Sequence, residues 1–166
     1  MAIKDYTRVG GYPIVQLFGP DGREKERRDC SNLIVNTGME LIAAKFVQGP
    51  ASSQAVPEYM AVGEGQTAPT VEDTSLEFEL LPRKPYTDSF IENNPKPVSA
   101  VLVSLFDKGE ASGAITEAGL FTTQTGGVMT NRVTFPVVNK QPDDILQLTW
   151  RLTFTSESES NNGTPA

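Results

Sequence analysis

The chain carries few side chains that could do chemistry. Its 166 residues include no histidine, which excludes an imidazole general base, a Ser-His triad and imidazole ligands for a metal. The single cysteine, Cys30, follows Asp29, and a neighbouring carboxylate does not stabilise a thiolate. We interpret Cys30 as a small, half-buried apolar residue, and we predict no catalytic, cofactor-binding or metal-binding residues.

Carboxylates are the remaining chemical candidates. Glycoside hydrolysis needs two of them across a cleft, whereas the acidic pairs at 72–73 and 143–144 are adjacent in sequence. Adjacent strand residues point to opposite faces, so we interpret both pairs as turn or cap residues. Glu117 interrupts the apolar segment AITEAGLF, where an unpaired buried acid would be unfavourable. We therefore expect an ion pair between Glu117 and Arg132 or Arg151.

The segment Gly63-Glu64-Gly65 is the one glycine-rich motif that resembles a phosphate loop. No Gly-Lys-Ser/Thr follows it, and no long βαβ unit surrounds it. We interpret it as a turn that needs the dihedral angles of glycine.

Composition excludes several classes of partner. The chain has 21 acidic and 14 basic residues, a formal net charge of -7, which opposes direct binding to nucleic acid. No apolar stretch approaches the roughly 20 residues of a membrane span, and the N-terminus does not resemble a secretion signal. A single cysteine permits no internal disulfide, so we expect synthesis in a reducing cytoplasm.

The fold class follows from the alternation of apolar and polar residues. Residues 98–106 are nearly all β-forming, which predicts a central strand, and residues 146–154 alternate without a break. The predicted core residues are Trp150, Leu148, Leu152, Phe154 and Phe135. Many short strands and Gly/Pro turns predict a mainly β single domain, an antiparallel β-sandwich or jelly roll with one short helix.

The predicted helix spans about residues 37–48, since Thr37 and Glu40 have the spacing of a capping box and Gly49 follows. Its apolar residues recur at helical spacing and predict one buried stripe, made of Met39, Ile42, Ala43, Phe46 and Val47.

The sequence predicts three regions in the chain. Residues 1–28 form an N-terminal arm or a first hairpin that turns at Asp21-Gly22, residues 29–155 form the sandwich, and residues 156–166 form a polar tail. Aromatic and arginine side chains dominate interface energetics, which makes four residues of the arm the candidate anchors for a partner: Tyr6, Tyr12, Arg27 and Arg28.

The order of several segments resembles small structural proteins of tailed bacteriophages. These segments are NLIVNTGMELIA, YMAVGEGQTAPT, ITEAGLF, NRVTFPVVNK and DILQLTWRLTF. The resemblance covers roughly three quarters of the chain and rests on turn and core residues. Such proteins are similar to capsid decoration (cement) proteins, to tail-fibre or collar modules and to other virion accessories, so the resemblance implies a place in the virion.

Within that setting we expect a decoration protein on the capsid exterior. The chain has no long repetitive shaft for a tail fibre, and its acidity suits a place away from packaged DNA. The expected partners are the major capsid protein or other virion proteins and further copies of the chain, as a dimer or trimer. A tail, collar or baseplate accessory is the alternative, and a carbohydrate-binding module is the third possibility.

Overall fold

A computed structural model describes residues 4–48, 55–94 and 97–159 of the chain. Within these ranges the chain forms ten strands and one helix, in the order β1 (Lys4–Phe18), β2 (Glu24–Asp29), β3 (Leu33–Ile34), α1 (Asn36–Gln48), β4 (Tyr59–Gly63), β5 (Glu79–Pro85), β6 (Asp88–Glu92), β7 (Val98–Phe106), β8 (Gly113–Phe121), β9 (Met129–Lys140) and β10 (Ile145–Glu159).

The strands form two antiparallel sheets of five strands each, which confirms the predicted β-sandwich. Sheet A has the order β2-β1-β10-β7-β6, and sheet B has the order β3-β9-β8-β4-β5. As predicted, β7 is an inner strand. The proline-containing strand β5 lies at an edge of sheet B, where a missing backbone N–H breaks no ladder.

The main core lies between the two sheets. Trp150 and Leu148 of β10 are fully buried in it, Phe135 of β9 is 7% exposed, and Leu152 is partly buried against it. Phe154 is the exception among the predicted core residues, because it is 40% exposed at the end of the sandwich. Strict alternation in β10 therefore identified the inward face, but not how far along the strand the opposite sheet continues.

The helix lies close to its predicted bounds, but its predicted buried face is wrong. Its buried residues are Gly38 and Leu41. Gly38 lies so close to β9 that a Cβ would overlap the backbone of Thr130, and the Thr37 hydroxyl donates to the Met129 carbonyl at 2.6 Å. This close approach points the predicted stripe away from the sheet, and its exposed members are Met39, Ala43, Phe46 and Val47.

Within the region for which an arm or a first hairpin is predicted, the described residues contain a hairpin. Strands β1 and β2 pair antiparallel across the predicted turn, where Gly22 has a φ of 77°. Strand β1 also pairs with β10 along its whole length. The expected polar tail also begins inside the sheet, because β10 extends to Glu159; residues 160–166 lie outside the described part.

Candidate partner-binding surfaces

The structure separates the four residues predicted to anchor a partner. Tyr12 and Arg27 lie on the outer face of sheet A, the face turned away from sheet B. Arg28 lies on the opposite side of β2, where its guanidinium donates to the carbonyl oxygens of residues 136–137 in β9 at 3.3 and 2.9 Å. Arg28 therefore joins the two sheets. Tyr6 belongs to β1, and its side chain lies outside the described part of the structure.

One row of the outer face of sheet A crosses four strands. Tyr12 lies opposite Arg151, Arg151 opposite Val101, and Val101 opposite Phe90, so these side chains share the face. Tyr12 is 49% and Phe90 is 45% exposed, whereas Val101 between them is buried. Arg151 is paired with Glu92. The row thus has an exposed aromatic ring near each end, about 14 Å apart for three strand spacings, with an ion pair between them.

Further rows extend this outer face with a mixture of aliphatic and amide side chains. The register places Ile14, Thr149 and Val103 in one row and Gln16, Gln147 and Leu105 in the next. Strand order alone brings these residues together, because they come from three segments far apart in sequence. The sequence therefore identified Tyr12 but not the surface to which it belongs.

The basic residues of β2 are paired within the chain. The pairs are Lys25–Asp144 at 2.8 Å, Arg27–Asp29 at 2.9 Å and Arg28–Glu26 at 2.7 Å. A hydrogen bond from Arg27 lowers the pKa of Asp29, despite the opposing effect of desolvation. The positive charge of β2 is thus neutralised locally, so charge alone does not favour docking of this strand on an acidic partner.

The two terminal strands continue past the rest of sheet A as a two-stranded ribbon, formed by residues 4–8 of β1 and 155–159 of β10. Lys4 lies opposite Glu159, and Arg8 lies opposite Thr155. The pairing of β1 with β2 ends at Ile14, and the pairing of β10 with β7 ends at Phe154. Among the described residues, no third strand pairs with this terminal ribbon.

A buried charged cluster lies on the outer face of sheet B. Glu117 of β8 is fully buried, and its carboxylate accepts two hydrogen bonds from the Arg132 guanidinium, at 3.0 and 3.1 Å. This contact confirms the predicted ion pair and assigns it to Arg132. Three backbone N–H groups also donate to the carboxylate, those of Gly65, Glu77 and Phe78, at 3.0, 3.1 and 2.8 Å.

Arg132 extends this cluster to the connection between β4 and β5, residues 64–78. Its guanidinium contacts Asp73 at 2.7 Å and donates to the Thr67 carbonyl at 3.1 Å. Desolvation opposes ionisation of Asp73, but hydrogen bonds from Thr70 and Arg132 outweigh it and lower the pKa of Asp73. Glu117 and Arg132 thus fasten this connection to sheet B, as Asp73 does in the turn where it was expected.

The glycines of the Gly63-Glu64-Gly65 segment serve this same cluster. The prediction that they need glycine dihedral angles is wrong, because neither has a positive φ. A Cβ at either position would instead overlap the Glu117 carboxylate. Glycine is required at both positions because the backbone lies against the buried acid, to which the Gly65 N–H donates, and because a Cβ at Gly63 would also overlap the Phe78 carbonyl.

The free thiol of Cys30 is half-buried beside the main core. Burial raises its pKa, and the charge of Asp29 acts in the same direction. A thiol held protonated is a poor nucleophile, so this environment agrees with a packing role for Cys30.

Two negative observations concern the described residues. Among them, no three His, Cys, Asp or Glu side chains are arranged so that they could hold a metal ion. No described helix is long and apolar enough to cross a membrane. Comparison of the chain with protein-family models, with curated proteins and with solved structures yields no match.

Proposed function

We propose that this chain is a non-catalytic structural protein of a tailed bacteriophage virion, a decoration protein that attaches to the capsid exterior through its terminal ribbon. The ribbon of residues 4–8 and 155–159 is the observation that carries this proposal. The resemblance of the sequence to phage structural proteins supports the virion setting. The net charge of -7 supports a location away from packaged DNA.

The physical argument starts from the stability of the ribbon. Each of its strands has five paired residues, a length of about 17 Å. A two-stranded ribbon alone is marginally stable in water, and each outer edge presents backbone N–H and C=O groups that no described strand pairs with. A strand supplied by a capsid subunit would satisfy those groups, as in other cases where a partner adds a strand to a sheet edge.

Attachment of this kind stabilises a lattice without turnover. A protein that binds assembled subunits and not separate ones shifts the equilibrium toward the assembly by mass action. The sandwich serves as the rigid body, and the outer face of sheet A offers Tyr12 and Phe90 for contacts with copies of the chain.

Truncation of either half of the ribbon tests the proposal. Deleting residues 2–7, or residues 156–166, leaves one ribbon strand without its partner, while the main core is untouched. Both variants should keep a cooperative thermal transition and should lose most of their co-sedimentation with undecorated phage capsids. Deleting only residues 160–166 is the matched control, because it removes a similar polar segment and leaves every described ribbon residue in place.

Two results would count against the proposal. Equal co-sedimentation by all three truncated forms would show that the ribbon does not mediate attachment. Mass analysis of purified particles that finds the protein only with isolated tails would favour the alternative, a tail, collar or baseplate accessory.

The outer face of sheet A favours a second candidate, a carbohydrate-binding module. Exposed aromatic rings on a sheet face, with polar groups between them, are suited to stacking on sugar rings. Tyr12 and Phe90 have this arrangement around the Arg151–Glu92 pair. Saturable binding to a glycan array, lost in Tyr12→Ala, together with absence from capsids, would replace the decoration proposal by this one.

A further inference from the structure

An apolar niche lies at the base of the terminal ribbon. Its volume is about 100 Å³. Most of its lining comes from three parts of the fold. Sheet A contributes Val9, Leu152 and Phe154, strand β3 contributes Ile34, and helix α1 contributes Leu41 and Ile42. Val9 directly follows ribbon residue Arg8 in β1, and its partner Phe154, which is 40% exposed, directly precedes Thr155 in β10. The niche is thus located where a chain bound to the ribbon would reach the body of the sandwich.

Asn131 of β9 adds an unsatisfied hydrogen-bond donor to this niche. It lines the niche and is 3% exposed, and its side-chain Nδ2 group is buried without a hydrogen-bond partner among the described residues. Buried polar groups are rarely left unpaired, because each loses its hydrogen bonds to water. A hydrogen-bond acceptor bound in this mostly apolar niche would therefore satisfy the Asn131 Nδ2 donor.

We propose that the niche is an anchor pocket for one aliphatic side chain, of about leucine size, from the chain to which the ribbon binds, with a carbonyl oxygen of that chain accepting from Asn131 Nδ2. The choice of a protein side chain as the occupant rests on the proposed attachment role. The apolar lining and the single donor define the chemistry of the occupant independently of that role.

Size and polarity select this occupant over smaller or larger ones. A cavity of about 150 Å³ holds one benzene molecule, so a niche of about 100 Å³ suits a branched aliphatic group. An ordered water needs two to four polar partners, whereas the described lining is mostly aliphatic and offers one unpaired donor, Asn131 Nδ2, beside the Thr130 hydroxyl, which donates to the Leu120 carbonyl. A drug-sized ligand needs roughly 300 Å³ or more.

The niche can be tested on the isolated full chain with two small probes. N-acetyl-leucine methylamide carries the proposed side chain and a carbonyl acceptor, and N-acetyl-alanine methylamide is the same molecule with a shorter side chain. Methyl NMR should show saturable, roughly millimolar shifts at Ile34, Leu41 and Ile42 with the leucine probe and much smaller shifts with the alanine probe.

Variants of the chain sharpen this test. Ile42→Phe replaces an aliphatic side chain in the niche by a larger aromatic ring. It should weaken leucine-probe binding at least about tenfold, which corresponds to roughly 1.4 kcal/mol. Asn131→Ser shortens the donor and should weaken it by a smaller factor. Phe46→Ala alters the exposed side of the same helix and should leave binding unchanged. A thermal melt of each variant establishes that it is folded.

The proposal is overturned by any of three results: no saturable shifts, equal shifts with both probes, or unchanged leucine-probe binding in folded Ile42→Phe. The probe experiment uses no capsid, so its failure is distinct from failure of the ribbon truncations. Loss of capsid attachment on ribbon truncation, without probe binding, would retain the attachment role and remove the niche from it.

Discussion

The outer faces of the two sheets differ in how far the chain covers them. Sheet B is covered on its outer face, where a second apolar cluster of Val35, Ala61, Leu76, Phe121 and Met129 lies, and where the Glu117–Arg132 pair fastens residues 64–78. Sheet A presents Tyr12 and Phe90, both nearly half exposed. The chain itself covers the centre of sheet B, whereas sheet A offers its outer face to solvent or to a partner.

The charged residues that stabilise the fold lie on the covered outer face, and the residues available for binding lie on the exposed one. Glu117 and Arg132 are the kind of buried ionisable pair that is often taken for an active site. Their hydrogen bonds all go to each other and to the connection they fasten, which makes the pair structural. The binding candidates instead lie on the face where burial is incomplete.

The largest effect that would test this comparison is expected for Glu117→Gln. Both oxygens of Glu117 accept from N–H donors, so an amide NH₂ in either orientation would face a donor, and Arg132 would lose its buried partner. We expect a loss of about 3–5 kcal/mol in the free energy of unfolding, measured by urea denaturation. Glu72→Gln, at an exposed position of the same connection, should change it by less than about 0.5 kcal/mol. A loss below about 1 kcal/mol in Glu117→Gln would contradict the assigned role.

A smaller loss is expected from Leu76→Ala, which removes an apolar side chain from the covering of sheet B. Leu76 is 5% exposed in the second apolar cluster, so its truncation leaves a cavity. We expect a loss of about 2–4 kcal/mol, since the connection it belongs to can relax in part. An unchanged urea midpoint would show that residues 64–78 cover sheet B without stabilising it.

The open face should respond differently. Phe90→Ala should cost at most about 1 kcal/mol, because nearly half of the ring is exposed and its neighbours lie on one side only. The same variant should reduce either self-association, measured by analytical ultracentrifugation, or glycan binding. A loss in stability as large as that of Leu76→Ala would remove the distinction between the two outer faces.

The smallest expected effect is a pH dependence specific to the cluster on sheet B. The folded-state pKa of Asp73 lies below its ordinary value near 3.8, so its ionised form stabilises the fold above that pH. This contribution is lost as the pH falls through the folded-state pKa, because the protonated acid no longer pairs with Arg132. Between about pH 5 and pH 2, stability should therefore fall less steeply in Asp73→Asn than in the wild type. If the free energy of unfolding fell with pH equally steeply in both proteins, Asp73 would not contribute to the acid sensitivity.

The sequence predicted those features of the fold that depend on local patterns, and it missed those that depend on contacts between distant segments. Alternation within β10 identified its inward face, and a single acid in an apolar strand predicted an ion pair of Glu117 with Arg132 or Arg151, which the structure assigns to Arg132. Both signals depend on short-range pattern and on the free energy of burying charge. Neither requires knowledge of which strands are neighbours.

The predictions that failed required tertiary contacts. The helix turned its apolar stripe outward because Gly38 allows close contact with Thr130, and hydrophobic periodicity does not register that contact. The outer face of sheet A combines β1, β10, β7 and β6, an order that follows from topology. The niche at the ribbon base likewise could not be predicted from the sequence, because its lining comes from segments far apart in the chain.

The full-length pairing of β1 with β10 has a consequence for how the protein would carry force. A force on the Lys4 end of β1 directed across the strands would peel β1 from β10 and load their hydrogen bonds one at a time. A force on both ribbon strands directed along their axes would instead pass in shear into β2 and β7 on either side. The same ribbon would thus be a weak tether when pulled across its strands and a strong one when pulled along them.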